Sequence, residues 1–111
     1  MEKITEQTLL NFYNDTLNKC GIFLLKEDDE TIEYCIYEDF DIGIHSFFHI
    51  NNLQRLYNSN LISLEKLNES VLLRSKVINL QNNDEWGFEH FKTSKRWKEI
   101  MILSDKIKSI V

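Results

Sequence analysis

One stretch of the sequence decides the predicted fold: Ile22-Phe23-Leu24-Leu25, then Glu27-Asp28-Asp29-Glu30, then Thr31-Ile32-Glu33-Tyr34-Cys35-Ile36-Tyr37. Aromatic and β-branched residues dominate both flanks, and such residues are enriched in β-strands. The four acids between the flanks are typical of a turn, so the stretch predicts a β-hairpin. In the second flank every other residue, from Ile32 through Tyr34 to Ile36, would face the core.

The rest of the chain predicts what packs against this hairpin. Two strands alone are marginally stable, so we expect a third strand, for which Phe40–Ile44 is the candidate, or helices behind the pair. Apolar residues at three- and four-residue spacing predict helices elsewhere. These helices span residues 3–19, Ile50–Asn58, a segment from a Ser63 cap to about Asn82, and a last segment capped by Thr93 or Ser94. The predicted fold is therefore α+β, with a small antiparallel β-sheet packed by about four α-helices.

Length and composition bound the class of protein. A chain of 111 residues is the size of one domain, so residues 1–111 are expected to form a single unit. Its 42% hydrophobic and 12% aromatic content suffices for a packed core and argues against disorder. The polar N-terminus does not resemble a signal peptide, and no apolar run is long enough to span a membrane. Two cysteines, Cys20 and Cys35, are expected to be reduced thiols of a cytoplasmic protein.

The charges are segregated along the chain. Between Glu27 and Gln54 there is no Lys or Arg. The first part of this segment contains eight carboxylates: Glu27, Asp28, Asp29, Glu30, Glu33, Glu38, Asp39 and Asp41. Folded proteins usually mix both signs of charge on their surface, so a block of one sign indicates a partner of opposite sign. A net charge of −5 disfavours nucleic acid, because phosphate backbones require clustered Lys and Arg.

The sequence contains no recognisable catalytic signature. Nucleophile-elbow, P-loop, dinucleotide-binding and Cys–His patterns are all missing. Paired carboxylates do acid–base chemistry when burial separates their pKa values, whereas a dense acidic cluster is expected to be solvated. We therefore expect a protein that is not an enzyme and that needs no cofactor.

A pair of histidines leaves a metal-dependent alternative open. His45 and His49 are four residues apart, which is a metal-ligand spacing on a helix. A third ligand would have to come from Asp41, Cys35 or elsewhere, because Ser46, Phe47 and Phe48 between the histidines supply none. The alternative is a small metal-binding module or enzyme. A further alternative is an adaptor that oligomerises through apolar helix faces.

Several segments together resemble a known class of small proteins. They are Glu38-Asp39-Phe40-Asp41-Ile42-Gly43-Ile44-His45-Ser46-Phe47-Phe48-His49, Asn52-Leu53-Gln54-Arg55-Leu56-Tyr57, Asn83-Asp84-Glu85-Trp86, Thr93-Ser94-Lys95-Arg96-Trp97-Lys98-Glu99-Ile100 and Leu103-Ser104-Asp105-Lys106-Ile107. This part of the chain, residues 38–110, is similar to cytosolic immunity proteins encoded beside bacterial polymorphic or contact-dependent growth-inhibition toxins. The resemblance implies a protein that binds and neutralises a cognate toxin. Many such toxins are nucleases with basic clefts, and an acidic surface can occupy such a cleft in place of phosphates.

These observations together predict a partner-binding surface on the acidic segment. The expected charge contacts are Asp28, Asp29, Glu30, Glu33, Glu38, Asp39 and Asp41. Tyr37 and Phe40 are the expected aromatic anchors, since aromatic residues dominate binding energy at interfaces. The expected partner is a basic toxin domain.

Overall fold

Five α-helices joined by short turns make up the structure, a computed structural model that describes residues 4–110. The helices are α1 (Glu6–Asn18), α2 (the consecutive segments Asp29–Ile32, Glu33–Phe40 and Asp41–His45), α3 (Ile50–Asn58), α4 (Leu64–Gln81) and α5 (Lys95–Ser109). Turns of 3₁₀-helix lie at Ile22–Lys26, Asp84–Trp86 and Phe88–His90. The described residues contain no β-strand. None of their helices is long and apolar enough to cross a membrane.

The predicted α+β fold with an antiparallel sheet is therefore wrong. The first predicted strand is a 3₁₀ turn, and the second lies within α2, as does the proposed third strand Phe40–Ile44. Asp28 begins α2 as its N-cap, because its Oδ1 accepts a hydrogen bond from the backbone N–H of Thr31 at 2.8 Å. Asp29 and Glu30 follow in the first turn, where acids are favoured by the helix dipole. The four acids thus start a helix instead of forming a hairpin turn.

A repeat of four residues explains how α2 buries one side. Ile32, Ile36, Phe40 and Ile44 are each fully buried. Four residues exceed the 3.6 of an α-helical turn, so in a regular α-helix this row would drift around the axis. The middle segment, Glu33–Phe40, is π-helix, whose wider turns join residues five apart. The backbone N–H of Asp41, for example, donates to the carbonyl of Ile36. Mixing both kinds of turn keeps the four apolar residues on one side.

The remaining helix predictions are confirmed. Helix α1 lies within the predicted range 3–19, of which residue 3 is outside the described residues, and α3 has the predicted bounds. The Ser63 hydroxyl caps α4 by accepting from the N–H of Lys66 at 3.1 Å. The Ser94 hydroxyl caps α5 by accepting from the N–H of Trp97 at 3.3 Å. The starts of α4 and α5 are defined by serine caps next to them in the chain, so the sequence was sufficient to predict them.

Aromatic side chains fasten α2 to α5 through the segment 84–90 between α4 and α5. The Trp86 and Trp97 rings stack with centroids 4.8 Å apart, and Trp97 Nε1 donates to the carbonyl of Glu85 at 3.0 Å. The Tyr37 ring packs edge-on against both indoles, and its hydroxyl donates to the carbonyl of Trp86 at 2.7 Å. Trp97 is fully buried, as its apolar spacing on α5 predicts. These contacts attach α2 to the segment 84–90 and to α5.

Candidate functional site

The outer side of α2 presents the acidic segment to solvent. Every fourth residue from position 30 to position 42 is exposed, and this row is offset by two positions from the buried row. Its members are Glu30, Tyr34, Glu38 and Ile42. Asp29 and Glu33 are exposed beside them. We call the carboxylates of Asp29, Glu30, Glu33 and Glu38, together with Tyr34 and Ile42, the acidic face.

Three of the predicted contact acids are engaged within the protein. Asp28 caps α2, and the hydrogen bonds from Thr31 hold the pKa of its carboxyl below the ordinary value. Asp39 forms a salt bridge at 3.1 Å with Lys19, the C-cap of α1, and the hydrogen bond between them raises the pKa of the Lys19 ammonium. Asp41 accepts a hydrogen bond from Gln81 Nε2 at 2.6 Å. Asp28 thus stabilises the start of α2, and Asp39 and Asp41 hold α2 against its neighbours.

The other four predicted acids have no such partner. Within residues 4–110, no Lys, Arg or His nitrogen lies within 4.0 Å of the carboxylates of Asp29, Glu30, Glu33 or Glu38. One of them, Glu33, lies near Tyr37, whose phenol pKa is raised by burial, then by the charge of Glu89 and then by that of Glu33. The four carboxylates thus form a concentrated negative charge on an ordered helix.

The two predicted aromatic anchors are placed elsewhere. Phe40 is fully buried and belongs to the core. Tyr37 is only partly buried, but its hydroxyl and ring are held by the segment 84–90. The exposed apolar side chains of the acidic face are instead Tyr34, 53% exposed, and Ile42, 64% exposed. Their four-residue spacing with Glu30 and Glu38 is the sequence pattern that indicates a shared helix side. The strand prediction missed it, because it placed Tyr34 in the core.

The histidines take separate structural roles. His49 is the N-cap of α3, where its Nδ1 accepts from the N–H of Asn51 at 3.2 Å. His45 Nε2 lies 2.6 Å from Gln81 Oε1 and 3.6 Å from Asp41 Oδ1. The part of the chain that the structure describes holds no group of three His, Cys, Asp or Glu arranged to bind a metal ion. Both cysteines are free, with Cys20 buried and Cys35 half-buried on α2, not on a strand.

A groove of about 660 Å³ lies next to the acidic face, between α1 and α2. The two helices run antiparallel there. Phe12 in the middle of α1 stacks on Phe47, which follows α2, whereas Lys19 at the end of α1 contacts Asp39 and the Tyr34 ring, which come earlier in α2. The groove is lined by Phe12, Asp15, Thr16, Asn18, Lys19, Phe23, Cys35, Asp39, Ile42 and Phe47. Ile42 belongs to both the groove and the acidic face, so the two surfaces are continuous.

This arrangement is suited to binding. The acidic face offers fixed negative charge and exposed apolar surface, which are the elements of protein–protein recognition. Comparison of the chain with family models, with curated proteins and with solved structures finds no match.

Proposed function

We propose that this protein is an immunity protein of the cytoplasm that binds a basic toxin domain through the acidic face of α2 and blocks it. The toxin domain is proposed to be a nuclease, whose phosphate-binding cleft the carboxylates would occupy. One observation carries the proposal: four carboxylates without an internal salt bridge within residues 4–110 stand on one ordered helix together with two exposed apolar side chains, Tyr34 and Ile42.

Charge supports this function through the rate of association. The field of an acidic surface steers a basic partner and raises the association rate constant towards roughly 10⁸ M⁻¹s⁻¹ at low salt. Rapid capture matters for a toxin that acts inside the cell. The net charge of −5 extends this attraction beyond the contact itself.

Exposed apolar side chains support the proposed function because their burial would stabilise the complex. Tyr34 and Ile42 are among the most exposed large apolar residues of the chain. Burying them against a partner removes apolar surface from water, which is the main favourable contribution to association. A standard interface takes about 800 Å² from each partner, a small part of the 6603 Å² surface of this protein.

The fold itself does not depend on the acidic face. The side of α2 that packs on the core consists of fully buried apolar residues, from Ile32 to Ile44. Glu33 and Glu38 lie within the helix, and their exposed side chains cap no helix end. Their charges can therefore be reversed while the core stays intact.

A charge-reversal experiment tests the proposal. The partner is the toxin domain encoded by the reading frame next to this gene, and its affinity is measured by calorimetry. The double variant Glu33→Lys/Glu38→Lys should bind at least ~100-fold more weakly, because like charges would then face each other across the interface. It should also fail to restore growth when the toxin domain is expressed in the same cell.

A control with the same change in charge separates the acidic face from net charge. Glu65 and Glu99 are exposed acids on α4 and α5, and Glu99 makes only an exposed salt bridge with Lys76 at 3.7 Å. The variant Glu65→Lys/Glu99→Lys should keep its affinity within about threefold. Equal affinities for both variants, each shown to be folded by circular dichroism, would contradict the proposal.

A further inference from the structure

The groove between α1 and α2 combines an apolar lining with acidic edges. Four of its lining side chains are large and apolar: Phe12, Phe23, Ile42 and Phe47. Phe12 and Phe23 are 38% and 43% exposed, so this apolar surface is open to solvent. Its volume lies within the range of about 300–1,000 Å³ that is typical of ligand pockets. The groove can therefore receive a side chain of a partner.

The packing of the two helices keeps the groove open. Gly43 and Thr16 bring the backbones together at one point, since a Cβ on Gly43 would overlap the Thr16 side chain. On one side of this point Lys19, the residue after α1, forms a salt bridge with Asp39 at 3.1 Å, and on the other side the Phe12 and Phe47 rings stack at 4.7 Å. These contacts hold both walls in place, so little conformational order has to be created on binding.

The charges of the groove indicate what kind of side chain would enter. Asp15 is exposed, and within residues 4–110 no basic side chain lies within 4.0 Å of its carboxylate. Lys19 is already paired with Asp39. The groove therefore has a net negative charge, and it continues into the acidic face at Ile42. An apolar side chain with a neighbouring Lys or Arg matches both properties.

We propose that the α1–α2 groove receives an aromatic or aliphatic anchor of the basic toxin domain, flanked by a Lys or Arg that pairs with Asp15. This inference rests on the proposed function and assigns the hot spot of the same interface. Interfaces concentrate their binding energy in such water-excluded apolar pockets surrounded by polar residues. A second copy of this chain is disfavoured as the occupant, because two surfaces of the same negative charge repel.

Two capped tripeptides test the groove without the toxin. Lys-Phe-Lys and Glu-Phe-Glu are titrated into the isolated, nitrogen-15-labelled protein, and the amide shifts are followed by NMR. Lys-Phe-Lys should shift amides of the groove saturably, with a Kd on the order of 1 mM and at least ~10-fold tighter than Glu-Phe-Glu. Shifts on another surface, equal binding of both peptides, or no saturation at about 10 mM would overturn the inference.

Matched variants assign the contacts. Ile42→Ala and Asp15→Lys should each weaken Lys-Phe-Lys binding at least ~5-fold, since they remove apolar surface or reverse the charge at the edge. Ile102→Ala is the control, because Ile102 on α5 is 52% exposed, close to the 64% of Ile42, and does not line the groove. Equal effects of Ile42→Ala and Ile102→Ala would assign the peptide to a different site.

The half-buried thiol of Cys35 provides an independent measurement. Cys35 lines the groove, whereas Cys20 is fully buried. Bound Lys-Phe-Lys should therefore slow the reaction of Cys35 with a thiol reagent in proportion to the occupied fraction. An unchanged rate at saturating peptide would contradict the proposed position. If the peptides do not bind in the groove, the groove is not part of the interface. If the Glu33→Lys/Glu38→Lys variant binds the toxin domain as tightly as the wild type does, the acidic face is not part of it.

Discussion

Gly43 of α2 lies against Thr16 of α1 so closely that a Cβ atom on residue 43 would overlap Oγ1 and Cγ2 of the threonine. Both residues are buried, and Thr16 Oγ1 donates to the carbonyl of Phe12 at 2.9 Å. This contact sets the distance between α1 and α2. The width of the groove next to Ile42 depends on that distance, because both helices line it, whereas the acidic face lies on α2 alone.

The variant Gly43→Ala should therefore be less stable than the wild type. Ala is a better helix former than Gly by about 1 kcal/mol, which would favour the variant. The overlap with Thr16 outweighs this gain, because forcing extra atoms into a packed contact typically costs about 1–3 kcal/mol. Urea unfolding followed by circular dichroism measures the net loss.

Two further variants test the cause of that loss. Adding Thr16→Ala to Gly43→Ala removes two of the overlapping atoms and should restore part of the stability, so the two effects should not be additive. Gly87→Ala is the control, since the nearest atoms to a Cβ there belong to the carboxylate of Glu89, the far end of a flexible side chain. A Gly43→Ala protein as stable as the wild type would show that α1 and α2 can move apart.

Removing the Tyr37 hydroxyl should weaken the attachment of the segment 84–90. The variant Tyr37→Phe loses the 2.7 Å hydrogen bond to the carbonyl of Trp86 but keeps the ring contacts with Trp86 and Trp97. The free energy of unfolding should decrease by about 1 kcal/mol. Tyr34→Phe is the matched control on the same helix, because the Tyr34 ring is 53% exposed. A change of similar size in both variants would exclude the hydrogen bond as the cause.

Alkaline pH should destabilise the protein through Tyr13. This residue is fully buried, its hydroxyl lies 2.6 Å from Ser70 Oγ, and burial raises its pKa from 10.0 to about 12. Well below pH 10.0 the phenol is protonated in both the folded and the unfolded chain, so its contribution is complete. As the pH rises towards 12, the unfolded chain loses this proton first and stability decreases.

The variant Tyr13→Phe isolates this contribution. Cys20, whose pKa burial raises from 9.0 to about 12, acts in the same direction and remains in the variant. Between about pH 9 and about pH 11, the wild type should lose about 1 kcal/mol more stability than Tyr13→Phe. Parallel curves of unfolding free energy against pH would contradict the buried, protonated phenol.

The sequence was sufficient wherever local chemistry defines an element. Ser63 and Ser94 are N-caps, and the apolar spacing after each one predicted α4 and α5. It failed for α2, because β-branched and aromatic residues also suit strands and alternate in this segment. The competing signals were the Asp28 cap and the repeat of four from Ile32 to Ile44, which a π-helical segment accommodates.

The candidate site, too, could be predicted from the sequence only in part. The sequence located the carboxylates and their separation from Lys and Arg. It could not distinguish Asp39, held by Lys19, from Glu38, which points to solvent one residue earlier. It also placed both anchors on residues that pack internally, while Tyr34 and Ile42 are exposed. Exposure depends on which side of the helix faces the core, and a strand and a helix give opposite answers for Tyr34.

The sequence by itself determined where α4 and α5 begin, the apolar content of the core and the one-sign charge of α2, because these depend on residues close together in the chain. Only the tertiary structure decided which acids remain unpaired and where the groove opens. The salt bridge of Lys19 with Asp39, the contact of Thr16 with Gly43 and the bond from Tyr37 to Trp86 join distant segments. Such contacts form when the helices pack together, so no local pattern specifies them.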